Sequence, residues 1–232
     1  MKLKLLYPIL SFIFAINLFV VTLFLAFVPP AMNREFYYNQ FSINQSYQKA
    51  FTTEATLNQL LDHTLDYTYG NKPNFQYQIT LLDGRTIDAF TETEVLHMID
   101  VQNLFLAGRA LTLFSLLSLV LIGSWFLINP TKFKRSNFKV MRNTIIGILL
   151  FTLIILGFAA TDFSNAFVIF HQIFFSNDLW ILYATDYLII MLPEVLFFRL
   201  AIRIIISLVI YLVVILGVLT FLGRNAKRKV KA

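Results

Sequence analysis

Four long runs without a charged residue constrain this chain more than any other feature. They span Leu5–Pro30, Ala110–Asn129, Asn143–Thr161 and Ile204–Gly223. Each is close to the ~20 apolar residues that a helix needs to cross a hydrocarbon core about 30 Å thick. Lipid offers no hydrogen-bond partners to an open backbone, so each run must be helical. The sequence therefore predicts a mainly α membrane protein with four transmembrane helices.

Composition supports a membrane protein and excludes several kinds of chemistry. Hydrophobic residues make up 58% of the chain and charged residues only 14%, against roughly a quarter in soluble proteins. The sequence contains no cysteine, which removes disulfides, thiolate nucleophiles and cysteine-ligated metals from consideration.

The distribution of charge predicts the topology. Most of the 19 basic residues cluster in three places: Lys2 and Lys4, positions 132–142, and positions 224–231. All 13 acidic residues fall between Glu35 and Asp100 or between Asp162 and Glu194. The positive-inside rule places both termini and the 130–142 loop in the cytoplasm, so both acidic segments face outward. We interpret the net charge of +6 as a topology signal rather than as a nucleic-acid surface.

These observations predict eight consecutive parts. The first run exceeds the 7–15 apolar residues usual in a signal peptide, which favours an uncleaved anchor. In order, the parts are a first transmembrane helix (1–30), an extracytoplasmic cap (31–103), a second helix (104–129), a cytoplasmic loop (130–142), a third helix (143–161), an outer interfacial segment (162–198), a fourth helix (199–223) and a cytoplasmic tail (224–232).

The sequence of the cap, residues 31–103, predicts a small mixed α/β unit. Leucines at helical spacing predict an amphipathic helix over Thr53–Tyr69, closed by Gly70. The alternating stretch Phe75–Leu81, the dipeptide Asp83-Gly84 and the stretch Arg85–Phe90 predict a hairpin with a two-residue turn. A further expectation is that Tyr37, Tyr38 and Phe41 extend its sheet.

A capping box predicts the start of the helix that leaves the cap. Thr91 is followed three residues later by Glu94, and no helix breaker separates this box from the second apolar run. His97 and Asp100 then share one face near the membrane surface.

The segment 162–198 mixes apolar and titratable residues. Phe163–Phe175 is nearly all apolar but too short to cross a bilayer, as in interfacial or re-entrant segments. Asn177-Asp178 interrupts it, and the following Leu179–Tyr183 has an amphipathic pattern. Ionisable residues in such a background mark functional sites.

Histidines are the main candidates for chemistry. We interpret His63, on the polar side of its helix, as a solvated surface residue. His97 stands beside Asp100 on a helix that enters the bilayer, where a packing or capping role is the alternative to a catalytic one. His171 lies in an apolar run, where an imidazole without a partner is unfavourable. With a pKa near ~6.5, a histidine accepts and returns a proton close to neutral pH. A competing interpretation is a metal site formed by His97, Asp100 and His171, although no HExxH pattern supports it.

Other polar residues are candidates for substrate binding or for orienting the imidazoles. These are Asp100, Asn177, Asp178, Trp180, Glu194 and Arg199. Asp178 or Glu194 is placed to orient an imidazole or to pair with Arg199, and interfacial anchoring is the alternative for Trp180. Ser164 and Ser176 lie outside any G-x-S-x-G elbow, which favours direct transfer between bound groups over a covalent intermediate.

Three motifs together resemble the lipoprotein intramolecular transacylase (Lit) family. They are Glu94-x-x-His97-Met98-x-Asp100-Val101, Phe170-His171-x-x-Phe174-Phe175-x-Asn177-Asp178-x-Trp180 and Met191-Leu192-Pro193-Glu194. The resemblance covers essentially the whole chain.

The resemblance implies a reaction and a location. Members of the family move the sn-2 acyl chain of a diacylglyceryl-modified lipoprotein cysteine onto the α-amino group of that cysteine, giving the lyso-form lipoprotein. It implies His97 and His171 as the catalytic pair, no cofactor, diacylglyceryl lipoproteins and membrane lipids as partners, and the bacterial cell membrane as the location. The alternative is a non-enzymatic membrane sensor or accessory subunit with a ligand-binding cap. A transporter fits less well, because the four apolar runs carry no charge.

Overall fold

The computed structural model describes residues 2–228; position 1 and the last four residues of the predicted tail lie outside the described residues. Nine helices and two strands follow one another in this part of the chain: α1 (Lys2–Ala31), α2 (Arg34–Asn44), α3 (Ser46–Lys49), α4 (Glu54–Tyr69), β1 (Gln78–Thr80), β2 (Thr86–Asp88), α5 (Glu92–Ile128), α6 (Arg135–Thr161), α7 (Phe163–Phe174), α8 (Tyr187–Met191) and α9 (Glu194–Arg228).

Four of these helices are long and apolar enough to cross a membrane, which confirms the predicted fold class. Their candidate spans are Leu5–Ala31, Glu92–Ile128, Arg135–Thr161 and Glu194–Asn225. At 1.5 Å per residue, the 37 residues of α5 extend about 55 Å, well beyond a hydrocarbon core of about 30 Å. Several turns of this helix therefore extend beyond the hydrocarbon core.

The described chain forms two compact units. The first contains the residues up to Val28, Arg109–Thr161 and the residues from Ile204 onward. Its buried side chains come from all four long helices, with Ala15, Ile122, Ile145 and Leu212 among them. This unit is the apolar bundle that the uncharged runs predict.

The second unit contains Pro29–Gly108 and Asp162–Arg203. Here the structure corrects one expectation: Tyr37, Tyr38 and Phe41 lie on helix α2 and do not extend the sheet. The Asn33 side chain accepts a hydrogen bond from Phe36 N at 3.0 Å and so caps this helix. The buried residues of α2 recur at helical spacing, so one helical face is covered by the rest of this unit.

Helix α4 agrees with its prediction at both ends. Thr53 is its N-cap and accepts from Thr56 N at 3.2 Å, and Gly70 closes the helix with a φ of 89°. The side chains of Leu57, Leu60 and Leu61 are fully buried.

The hairpin forms, but with shorter strands and a longer turn than predicted. The two antiparallel strands pair Ile79 with Ile87, and three residues each carry the ladder. Leu81 N donates to Arg85 O at 2.9 Å, which leaves the three residues 82–84 as the loop. Gly84, at a φ of 85°, takes the left-handed conformation that such three-residue hairpin loops require.

Candidate active site

Helix α5 positions the first histidine. Thr91 N donates to Glu94 Oε2 at 2.7 Å and Glu94 N donates to Thr91 Oγ1 at 3.3 Å, which confirms the predicted capping box. The helix continues from there without a break, so His97 occupies its second turn. The His97 side chain is buried, and its Nδ1 has no hydrogen-bond partner among the described residues. Buried polar atoms usually have a hydrogen-bond partner, so this one is a candidate for a bond that the protein itself does not supply.

Helix α7 positions the second histidine. Asp162 caps the helix by accepting from Asn165 N at 3.0 Å. His171 is buried, whereas Ile173, on another face of α7, is 71% exposed. His171 Nδ1 lies 2.7 Å from Phe167 O, and since a carbonyl can only accept, Nδ1 carries the proton. The Nε2 atom of a neutral His171 is therefore an acceptor.

The structure brings the two histidines together. Their ring centroids lie 6.1 Å apart with 35° between the planes, although the residues are far apart in sequence. Phe175 contacts both rings, at 5.2 Å from His97 and 5.7 Å from His171. Phe167 lies 4.3 Å from the His171 ring.

This apolar enclosure controls the protonation of His171. Burial lowers its pKa below the ordinary 6.5, against the weaker opposing effect of the hydrogen bond to Phe167. The imidazole is therefore neutral at neutral pH, the state in which it accepts a proton.

Trp180 and Asn177 join the histidine pair. The Trp180 ring stacks on His171 with centroids 5.1 Å apart, so this side chain contacts a candidate catalytic group. Asn177 Nδ2 donates to Asp100 Oδ2 at 2.9 Å, and Asn177 Oδ1 accepts from Leu179 N at 3.1 Å. Asp100 is thus held by the segment that follows α7.

The other predicted site residues have different partners. Glu194 accepts a hydrogen bond from Ser164, and Arg199 donates to Gln40 Oε1. Asp178 is exposed, and its side chain contacts no described residue closely enough for a hydrogen bond.

These partners correct the expectation that Asp178 or Glu194 orients an imidazole or pairs with Arg199. Residues five apart on a helix lie about 140° apart around its axis, so Glu194 and Arg199 point in different directions. Their predicted role in substrate binding stays a prediction.

His63 differs from its interpretation as a solvated surface residue. Its side chain is half-buried, Nε2 donates to Phe75 O at 2.9 Å, and its ring lies 4.8 Å from the Tyr77 ring. It therefore joins α4 to the stretch before β1. The segment 179–183, with its amphipathic pattern, contains a turn, which Ile181 N closes by donating to Asp178 O at 3.0 Å.

Two residues stand in the motifs quoted from the sequence but were given no role at this site. Phe175 forms the shared wall of the two imidazoles, and no local pattern in its apolar run predicts that contact. The only structural role predicted for Glu94 was that of a helix cap, yet its side chain is fully buried and also accepts from Leu188 N at 2.8 Å. Its partner is 94 residues away in sequence, so no local pattern reveals the contact.

The alternative of a metal site gains no support from the geometry. Within residues 2–228, no three histidine and acidic side chains converge as metal ligands would. The carboxylate of Asp100 is instead engaged by Asn177.

A cleft of about 690 Å³ lies elsewhere in the second unit. It is lined by Lys49, Ala50, Phe51, Leu81, Arg85, Ala184, Thr185, Tyr187, Ile189, Ile190 and Pro193. None of the predicted site residues lines it, so the histidine pair, and not this cleft, is the candidate active site.

Comparisons with known proteins agree with this assignment of fold. The family model described as lipoprotein intramolecular transacylase Lit matches residues 12–198. No curated protein matches the sequence.

Solved structures of the membrane integral lipoprotein intramolecular transacylase Lit from Bacillus cereus have a similar fold. One has a TM-score of 0.75 at 18% identity and covers 98% of this chain and 99% of its own. A variant with one histidine replaced by arginine has a TM-score of 0.70 at 17% identity, covering 98% and 95%. A variant with alanine at that histidine has a TM-score of 0.69 at 19% identity, covering 98% and 96%.

Proposed function

The chain belongs to the lipoprotein intramolecular transacylase (Lit) family, and we propose that it moves the sn-2 acyl chain of a diacylglyceryl-modified lipoprotein cysteine onto the α-amino group of that cysteine. The product is a lyso-form lipoprotein with an N-acyl group and a monoacylglyceryl thioether. The chain is thus an acyltransferase whose acyl donor and acceptor belong to one molecule.

The proposed step is balanced without a cofactor or water. The amine nitrogen attacks the ester carbonyl carbon, a carbon–nitrogen bond forms, and the carbonyl oxygen becomes an oxyanion. When the oxyanion collapses, the bond to the sn-2 glycerol oxygen breaks and that oxygen takes up the proton that the amine has lost. The substrate holds amine and ester together, which supplies much of the proximity that a bimolecular reaction lacks.

His171 is suited to accept the proton of the amine. Its Nδ1–H is committed to the carbonyl of Phe167, so the free lone pair is on Nε2. The lowered pKa of His171 keeps this nitrogen unprotonated at neutral pH. After collapse of the intermediate, the same nitrogen returns the proton to the glycerol oxygen.

His97 is suited to stabilise the oxyanion. A neutral imidazole has one N–H to donate, and this buried ring makes no hydrogen bond through Nδ1 to the described residues. With ring centroids 6.1 Å apart, the two histidines are close enough to act on neighbouring atoms of one tetrahedral carbon. This arrangement of two buried imidazoles is the observation that carries the proposal.

The location also suits a lipid substrate. Exposed apolar side chains on α7, such as Phe170, Ile173 and Phe174, give this helix a face for the interfacial region of the membrane. The charge distribution favours an outward-facing site with both termini in the cytoplasm. We assign the outer segment 31–103 to holding the peptide end of the substrate and the segment 162–198 to admitting its acyl chains.

Mass spectrometry of a lipoprotein N-terminus tests the proposal. A lipoprotein carrying an isotope-labelled sn-2 acyl chain is isolated from bacterial membranes with and without this protein. The label moves to the α-amino nitrogen only where the protein is present. An unchanged acyl distribution would refute the transacylase assignment and favour a non-enzymatic sensor, which also tolerates His97→Ala.

A further inference from the structure

Glu94 is bonded far more extensively than a helix cap requires. Its side chain is 0% exposed, which is rare for glutamate. One carboxylate oxygen accepts from Thr91 N at 2.7 Å and from Thr91 Oγ1 at 3.0 Å. The other accepts from Leu188 N at 2.8 Å.

Burial separates this residue from an ordinary capping box. A cap needs only the bond to Thr91, which an exposed glutamate provides at no desolvation cost. Removing a carboxylate from water is unfavourable unless several donors replace the water. The second oxygen and its bond to Leu188 therefore point to a role outside helix α5.

Two acidic residues flank His97 on the same helix face. Glu94 lies three residues before it and Asp100 three residues after it, a spacing that keeps all three within about 120° of the helix circumference. Both carboxylates accept hydrogen bonds from one stretch of the chain: Glu94 from Leu188 N and Asp100 from Asn177 Nδ2. The stretch 177–188 is thus attached to α5 near both of its ends, once on each side of His97.

This stretch carries the residue that contacts the other histidine. Trp180 lies between the two points of attachment and stacks on His171 at 5.1 Å. Beyond Trp180, Tyr187 Oη donates to Ala50 O at 3.0 Å and Ser46 Oγ donates to Ile190 O at 3.1 Å, so the cap holds α8 from another direction. The hydrogen bond from Leu188 to Glu94 therefore connects helix α5, which carries His97, to the stretch that places Trp180 on His171.

We propose that Glu94 is a positioning residue which, together with Asp100, clamps the stretch 177–188 across His97 and so holds Trp180 against His171. The effect of Glu94 on catalysis rests on the proposed function. Its effect on the position of Trp180 does not. Misplacement of catalytic groups by about 1 Å can lower a rate by about 100-fold, which sets the loss of kcat that we expect when the clamp is released.

Tryptophan fluorescence reports the clamp without any assay of activity. The chain has two tryptophans, Trp125 and Trp180, so a Trp125→Phe background leaves Trp180 as the only indole emitter. In this background, Glu94→Ala is expected to shift the emission to longer wavelength and to increase quenching by acrylamide. Glu92→Ala is the matched control, because Glu92 is exposed in the first turn of the same helix.

Two further variants keep the test decisive. Glu94→Gln retains an oxygen for Leu188 N and is expected to preserve the emission of Trp180. Glu94→Asp retains the charge but is one methylene too short to reach Leu188 and Thr91 together, and is expected to behave like Glu94→Ala. If Glu94→Ala does not fold, the emission of Trp180 in Glu94→Asp tests the clamp instead.

The outcomes separate this inference from the proposed function. An unchanged Trp180 spectrum in folded Glu94→Ala or Glu94→Asp would overturn the clamp, even if the chain transfers acyl groups. A shifted Trp180 spectrum in these variants, together with no acyl transfer by the wild-type chain, would support the clamp and count against the proposed reaction. If the clamp and the proposed reaction are both correct, kcat falls in Glu94→Ala and Glu94→Asp while KM changes little. The Glu94→Gln variant then keeps most of the wild-type rate.

Discussion

The substitution His171→Asn tests the chemistry while disturbing the structure least. His171 Nδ1 donates to Phe167 O, four residues earlier on the same helix. The amide of an asparagine can donate to the same carbonyl, as short polar side chains in helices often do. It has no basic nitrogen, however, so the variant keeps the local bond and loses the proton acceptor.

The expected effect on the rate follows from that difference. A positioned general base contributes about 100- to 10,000-fold, which is about 3–5.5 kcal/mol in the activation free energy at 1.36 kcal/mol per tenfold change. The variant also loses ring contact with Trp180, worth about 0.5–1.5 kcal/mol between aromatic rings. We therefore expect kcat to fall by at least about 100-fold.

The assay follows acyl transfer in a purified diacylglyceryl lipopeptide with mass spectrometry, using enzyme in micelles. His63→Asn is the matched control: it removes the bond to Phe75 O and the contact with Tyr77 but leaves the histidine pair intact. We expect this control to lower stability by about 1 kcal/mol and to keep its rate. A wild-type rate in folded His171→Asn would refute the assignment of His171 as the base.

Four further expectations concern stability and the site. Burial lowers the pKa of His171, so the unfolded chain binds a proton on this imidazole more readily than the folded chain does. The stability that the neutral imidazole provides is therefore complete above pH 6.5 and is lost as the pH falls below that value. Without this imidazole, in His171→Asn, the melting temperature should fall less with acid than in the wild type. Leu60→Ala in the fully buried face of α4 should cost about 2–5 kcal/mol, and a chemical unfolding midpoint equal to that of the wild type would contradict it. Asn177→Ala should lower kcat through loss of the bond to Asp100 while stability changes by about 1 kcal/mol or less. Equal rates in this variant and in Gln172→Ala, a control at an exposed residue of α7, would argue against a role for that bond. Phe175→Ala should open the wall of the imidazole pair to water, so free fatty acid should increase relative to N-acyl product, and an unchanged product ratio would count against water exclusion.

The membrane helices are predictable because lipid leaves the backbone no alternative. An uncharged run of about 20 residues in this composition must satisfy its own hydrogen bonds, so length alone identifies the helix. The start of α5 is equally local: Thr91 and Glu94 bond to each other within one turn.

Short apolar clusters in the cap are less predictable, because the same residues suit a strand or a helix. Tyr37, Tyr38 and Phe41 illustrate this ambiguity. Asn33 decides it by capping a helix before them, and Tyr38 Oη then donates to Asp62 Oδ1 of α4 at 2.7 Å. The helix is therefore set by a local cap and supported by a partner 24 residues away.

The candidate site was predictable in its reacting groups and not in its connections. His97 and His171 stand out as imidazoles in apolar surroundings. The contact between Asn177 and Asp100 beside them joins residues that are 77 positions apart. The hydrogen bond of Arg199, another predicted site residue, is to Gln40, which is 159 positions away. Helical and strand periods carry no information at that range, so the sequence could nominate Arg199 but not its partner.

Burial of the histidine pair serves two requirements of the proposed reaction at once. A base must be neutral to accept a proton, and desolvation lowers the pKa of His171 in that direction. A tetrahedral intermediate must also be protected from water, since hydrolysis would release the acyl chain as free acid. Phe175 contacts both imidazole rings and therefore contributes both to their desolvation and to the exclusion of water. Because the substrate supplies its own amine, the site gains by excluding water from the reacting carbon. The proposed clamp, which holds Trp180 against His171, adds a second aromatic ring to the wall that Phe175 provides.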